Sequence, residues 1–191
     1  MPLVPEATLS ARIALIGLPG AGKSVVAPLL AARLGFAHVD LDLGIERDEG
    51  VTIAELIRSR GEGAFRALET RALARALEEG APQGLVVACG GGILEREENR
   101  ERLGRAAHVI WLVVTPETAA GRMGSAGRDA RPLLDGAGVV ERLRSLDEAR
   151  RAEYRRAAHA TVDTERRSAT EVADLAAATW RERAAWDSSA S

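Results

Sequence analysis

A chain of 191 residues holds one compact domain with a sizeable core and leaves little room for a second. A formal net charge of -2 and an aromatic content of 3 % exclude a broad basic, base-stacking surface, so nucleic acid is not an expected partner. Cys89 is the only cysteine, which excludes an intramolecular disulfide framework, and no run is apolar enough to span a bilayer. Residues 1–11 carry Pro2, Pro5 and Glu6 where a secretion signal would need a basic start and an apolar run. They read as an N-terminal tail, and a cytoplasmic location is the expectation.

In chain order, apolar and β-branched runs at residues 12–16, 39–41, 85–89, 108–114 and 160–162 predict five strands. Helical periodicity fills the intervals, at 29–34, 53–58, 64–77 and 139–154. Short, continuously apolar strands alternating with helices predict an α/β, doubly wound domain with a parallel sheet covered on both faces. It spans residues 12–180, followed by a polar tail at 181–191. Residues 121–135 are rich in Gly, Arg and Asp and read as an exposed, mobile excursion.

Directly after the first strand stands Gly17-Leu18-Pro19-Gly20-Ala21-Gly22-Lys23-Ser24, which matches G-x-x-x-x-G-K-[ST]. Glycines let several backbone N–H groups point at one centre, and the following helix adds the positive end of its dipole. Gly20, Ala21, Gly22, Lys23, Ser24 and Val25 are therefore expected to cradle the phosphates of a nucleotide, which alone would serve a GTPase, a motor, a nucleotide kinase or a metabolite kinase. Lys23 would bridge the β- and γ-phosphates, and Ser24 would offer its hydroxyl to Mg²⁺. Lys23 is also the only lysine in the chain. A compositional bias that left one survivor is one reading; a position that needs a slim ammonium is the other. Pro28, inside the following helix, predicts a distortion of its first turns.

Strand 85–89 ends in Gly90-Gly91-Gly92, without the metal-linked acid that many phosphate-loop enzymes carry there. The acids come earlier, at Asp40 and Asp42. Alternate residues on an extended segment share a face, so both are expected to point into the crevice beyond the strand ends. Two solvated loop acids are the alternative. Arg66 and Glu69 stand three apart on a predicted helix. They read either as a surface ion pair or as an arginine held by a carboxylate to grip an anionic substrate. The glycine triplet lets a small substrate approach the backbone. Arg128 and Arg131, in the Gly-rich excursion, are placed to close over ATP.

In order, the phosphate loop, D-x-D, G-E-x-x-F-R-x-x-E from Gly61 to Glu69, the glycine triplet, R-P-L-L from Arg131 to Leu134, and Arg150 four residues before Tyr154 resemble the shikimate kinase family. The likeness runs over about residues 13–178. It implies a P-loop kinase fold with a five-stranded parallel sheet and a mobile lid. It also implies transfer of the ATP γ-phosphoryl group to the 3-hydroxyl of shikimate, on the route to chorismate and the aromatic amino acids. By that resemblance Asp42 contacts the ring hydroxyls and is the candidate base, and Arg66, Arg150, Gly91 and Gly92 bind shikimate. Ser24 and Asp40 serve Mg²⁺, Lys23 and Arg131 stabilise the phosphoryl group in flight, and Arg167 lies near the adenine. Two features depart from the family pattern: Val25 stands where threonine is frequent, and residues 122–128 leave open whether Arg122 or Arg128 is the second lid arginine.

The rival readings are a kinase for gluconate or a nucleoside monophosphate on the same scaffold, and a non-catalytic metabolite sensor. A nucleotide acceptor would call for base-recognition side chains in place of a carboxylate clamp. Lys23, Asp42 and Arg131 together favour turnover. No obvious apolar stripe is left exposed, which favours a monomer.

Overall fold

Ile13, Ala14, Leu15 and Ile16 are completely buried, as a strand covered on both faces requires. They form β1 (Arg12–Ile16), the middle strand of the sheet in a computed structural model that describes residues 11–123 and 138–189. The other strands are β2 (Ala37–Asp40), β3 (Leu85–Ala88), β4 (His108–Val113) and β5 (Ala160–Asp163), in the order β2-β3-β1-β4-β5. Every pairing is parallel; Leu15 of β1 stands beside Ala88 of β3 and Ile110 of β4. The chain builds one side of β1 first and the other side later, so a crevice opens beyond the carboxyl end of β1, where ligands of open α/β sheets bind.

Helix α1 (Lys23–Leu34) follows β1 and packs against the last helix, α8 (Ala169–Ser189). Val172, Ala173, Ala176 and Ala177 are buried on α8, and side chains that small allow a close approach. Helix α1 runs unbroken through Pro28, which the sequence reading had expected to distort it, and ends at Gly35 in the left-handed conformation. Three further helices, α2 (Leu41–Glu49), α3 (Ile53–Arg60) and α4 (Glu62–Glu79), gather around Ile45, Leu56 and Phe65, a small core of their own. The entry to α3 is fixed by a capping box between Thr52 and Glu55. The later helices are α5 (Glu97–Ala106), α6 (Pro116–Arg122) and α7 (Val139–Ala157). Among the described residues, no helix is long and apolar enough to cross a membrane.

The chain departs from the sequence reading around Asp40. The extended segment stops there, because the Asp40 side chain accepts from Leu43 N at 3.2 Å and caps α2. Asp42 therefore stands in the first turn of a helix, and the expected strand face shared by Asp40 and Asp42 does not exist. At the other end, Gly121 and Arg122 complete α6 and Met123 is buried, so the expected excursion begins later than residue 121. The rest of that segment lies outside the described residues, with Arg128, Arg131 and Leu134 in it, as does the tail before residue 11. Past Trp180, helix α8 continues through good helix formers such as Arg181, Glu182, Ala184 and Ala185.

Ala173 has no exposed surface, so Ala173→Leu must force its neighbours apart. We expect a loss of about 1–3 kcal/mol in unfolding free energy, measured by urea denaturation. A loss below that range would show that the seam around α8 can yield.

Candidate active site

The loop after β1 is wrapped around its own lysine. Lys23 is buried, and its Nζ donates to the carbonyls of Gly17 at 2.8 Å and Leu18 at 2.9 Å. Gly20 has φ +81°, and a Cβ there would stand 2.5 Å from the carbonyl oxygen of Ala119, so only glycine lets α6 come this close. Helix α1 starts behind Gly22 with no side-chain cap, which leaves the positive end of its dipole unanswered by a carboxylate. A cleft of about 470 Å³ opens on residues 20–26 of this loop and helix. Arg122 and Arg167 also line it. Arg122 donates to the Thr164 hydroxyl at 2.8 Å, and Arg167 donates to the Asp163 carbonyl at 2.7 Å. Of the two candidates for a second lid arginine, Arg122 therefore belongs to this cleft, and Arg128 lies outside the described residues.

A second group of expected site residues begins where the phosphate loop meets the glycine triplet. A Cβ on Gly91 would press on Pro19 Cδ at 3.1 Å, so the two loops share a wall. A Cβ on Gly90 would collide with Glu69 Oε1 and stand 2.9 Å from Asp42 Oδ1; one on Gly92 would stand 2.5 Å from Nη2 of Arg66. Gly90 and Gly92 thus give room to three side chains from α2 and α4. Arg66 and Glu69 are both buried, which removes the surface-pair reading, and they are joined at 2.9 Å. Arg66 also meets Glu62 at 3.0 Å and Glu95 at 3.1 Å.

Arg150, on α7, pairs with the same Glu95, so one carboxylate bridges the two arginines expected to hold a substrate. A second cavity, about 280 Å³, is lined by Gly91, Gly92, Glu95, Arg150 and Tyr154. The Tyr154 hydroxyl donates to the carbonyl of Gly91 and ties α7 to the triplet. Burial pushes its phenol up to about 12, which keeps the donor protonated.

The structure thus brings Asp42, Arg66, Gly91, Gly92 and Arg150 together on one side and residues 20–25 and Arg167 on the other. Arg131 is not among the described residues. Glu95 was missed in the sequence because it sits on a single 3-10 turn (Ile93–Glu95), where no periodicity marks the direction of a side chain. Cys89, just before the triplet, is buried, and its thiol is pushed up first by that burial; it acts as packing.

Comparison with known proteins adds the family. A family model described as shikimate kinase matches residues 19–180. The chain belongs to the shikimate kinase family. A shikimate kinase of Symbiobacterium thermophilum is 46% identical over 161 residues, covering 84% of this chain and 91% of that one. A solved shikimate kinase of Acinetobacter baumannii, in complex with shikimate, superposes with a TM-score of 0.82 at 35% identity and covers 88% of this chain and 91% of that one. A gluconokinase of Sinorhizobium meliloti, at 20% identity and a TM-score of 0.55 over 93% of this chain and 95% of that one, shares the fold alone. With relatives of this similarity over most of its length, the chain is an ATP-dependent kinase acting on shikimate.

The buried pair in α4 has a measurable signature. The Glu69 carboxyl is raised from 4.5 to about 7, first by burial, against the charge and hydrogen bond of Arg66, with Asp42 and Glu95 adding repulsion. A carboxyl raised on folding stabilises the fold fully below its unfolded value and loses that contribution as pH rises through the folded one. The wild type should therefore lose unfolding free energy between pH 4.5 and about 7 through this group. Glu69→Gln should flatten that slope, read by chemical denaturation across the range. Equal slopes in the two proteins would remove the carboxyl from the account.

Proposed function

We propose that the described residues divide the transfer of the ATP γ-phosphoryl group to the 3-hydroxyl of shikimate between two cavities with a common wall. Residues 20–25 hold the nucleotide phosphates, with Lys23 neutralising charge as it moves to the acceptor, and Arg167 borders the adenosine end. Arg131 contributes a second positive charge from its segment. Arg66 and Arg150 receive the substrate carboxylate, Gly91 and Gly92 leave room for the ring, and Asp42 orients the attacking hydroxyl and accepts its proton. The observation that carries this reading is the convergence of Arg66, Arg150 and Asp42 around the glycine triplet, against the wall formed by Pro19.

Mg²⁺ fits the residues present. Ser24 is exposed at the start of α1, and Asp40 spends one oxygen on Leu43 N, which leaves a hard carboxylate oxygen at the end of β2. Among the described residues no group of three or more His, Cys, Asp or Glu could hold a metal. That donor set suits an ion carried on nucleotide phosphates and water. Ser24 would hold it directly and Asp40 through water, and when bound it neutralises phosphate charge. We further propose a cytoplasmic monomer. Consumption of ATP and a single buried cysteine support the location. For the monomer, the large exposed apolar residues on the described helices are spread over three of them: Val25 on α1, Leu43 on α2, and Leu175 and Trp186 on α8.

A coupled ADP-release assay with ATP and Mg²⁺ tests the scheme, run separately with shikimate, gluconate and nucleoside monophosphates. Turnover selective for shikimate is expected. Arg150→Ala should raise the shikimate KM by about 10- to 100-fold, the worth of one charged hydrogen bond to a ligand. Asp42→Asn should lower kcat by about 10²- to 10⁴-fold. A shikimate KM unchanged in Arg150→Ala would sink the clamp, and near-normal kcat in Asp42→Asn would reject the base.

A further inference from the structure

Glu95 has no part in the scheme above, yet it is the carboxylate that reaches both clamp arginines. Its Oε2 stands 3.1 Å from Nε of Arg66, and its Oε1 pairs with Nη2 of Arg150. Glu69 and Glu62 meet Arg66 alone, each from α4 itself. An anion that is to touch both arginines must therefore take the position that Glu95 holds.

Charge points the same way. Arg66 and Arg150 pair with three carboxylates, those of Glu62, Glu69 and Glu95. A fourth carboxylate brought in by a substrate would meet a surplus of negative charge unless one of the three withdrew. Glu69 cannot withdraw, because it is 1% exposed and would be left buried without its partner. Glu95 can: its side chain is 40% exposed, and rotating it into water costs little. Its main chain need not move, since Glu95 N donates to Gly92 O at 2.9 Å and Glu95 O accepts from Arg100 at 3.2 Å.

We propose that Glu95 is a built-in stand-in for the substrate carboxylate, seated between Arg66 and Arg150 until an incoming carboxylate displaces it. The device holds two like charges in the geometry the substrate needs. It also makes the exchange nearly neutral in ion pairs: one carboxylate leaves as another arrives. Net affinity then comes from the remainder of the acceptor, its ring and hydroxyls. Every incoming carboxylate meets the same competition, so one without hydroxyls is left with little net affinity.

This proposal rests on the reading that Arg66 and Arg150 receive the substrate carboxylate, and the test separates the two. Shikimate binding is measured by calorimetry and KM by the ADP-release assay, in the wild type, Glu95→Gln, Glu95→Ala and Arg150→Ala. Cyclohexanecarboxylate, which lacks the hydroxyls, serves as inhibitor. In both Glu95 variants the shikimate Kd and KM should fall by about three- to tenfold, in keeping with the modest worth of a half-exposed ion pair. The KM for ATP should hold, and inhibition by cyclohexanecarboxylate should strengthen. A merely structural residue would give the reverse, a raised KM or a loss of kcat. If Arg150→Ala raises KM while the Glu95 variants leave it unchanged or raise it, the stand-in is overturned and the clamp survives. If Arg150→Ala leaves KM unchanged, the clamp is wrong and the proposal falls with it.

Discussion

A carboxylate kept almost wholly from water organises the side of this protein around the glycine triplet. Glu69 is buried in α4, and the ion pair with Arg66 is what makes that burial tolerable. Both side chains need space, and they find it where Gly90 and Gly92 carry no Cβ. The triplet is thus shaped as much by the enzyme's own charges as by any ligand. Because Arg66 is committed to Glu69 on one edge, its guanidinium is held in one orientation, and little of its rotamer entropy remains to be lost.

The same economy links the two halves of the site. Pro19 rests on Gly91, and Tyr154 holds the carbonyl of Gly91 from α7. A phosphate loop, a glycine strand end and a distant helix therefore meet at one residue. Any coupling of affinities that runs through this residue must be reciprocal.

Much of this was legible in the sequence, and the reasons differ by residue. The five strands announced themselves because a buried parallel sheet needs uninterrupted apolar runs. The phosphate loop was legible because its glycines, lysine and serine answer one geometric demand. Arg66 and Glu69 could be paired from helical spacing, but not sorted between surface and interior, since burial depends on what packs over α4. Asp42 was read on a mistaken premise: one hydrogen bond from Leu43 N to the Asp40 side chain turns an extended segment into a helix, and Asp42 stands beside Gly90 from that helix. Glu95 was invisible because its importance comes from two arginines that are 84 residues apart in the chain (150 − 66) and meet only in the fold.

Lys23 has a consequence beyond phosphate chemistry. It is the sole lysine of the chain, and it is 7% exposed, with its ammonium turned inward on Gly17 and Leu18. A lysine-specific protease therefore has one peptide bond to attack, at the head of α1, and an amine-directed reagent has one side chain to modify. Both are excluded while the loop stays closed. Digestion, or acylation at this side chain, would count the molecules whose phosphate loop has opened, which makes the single lysine of the chain a built-in gauge of local unfolding at the phosphate loop.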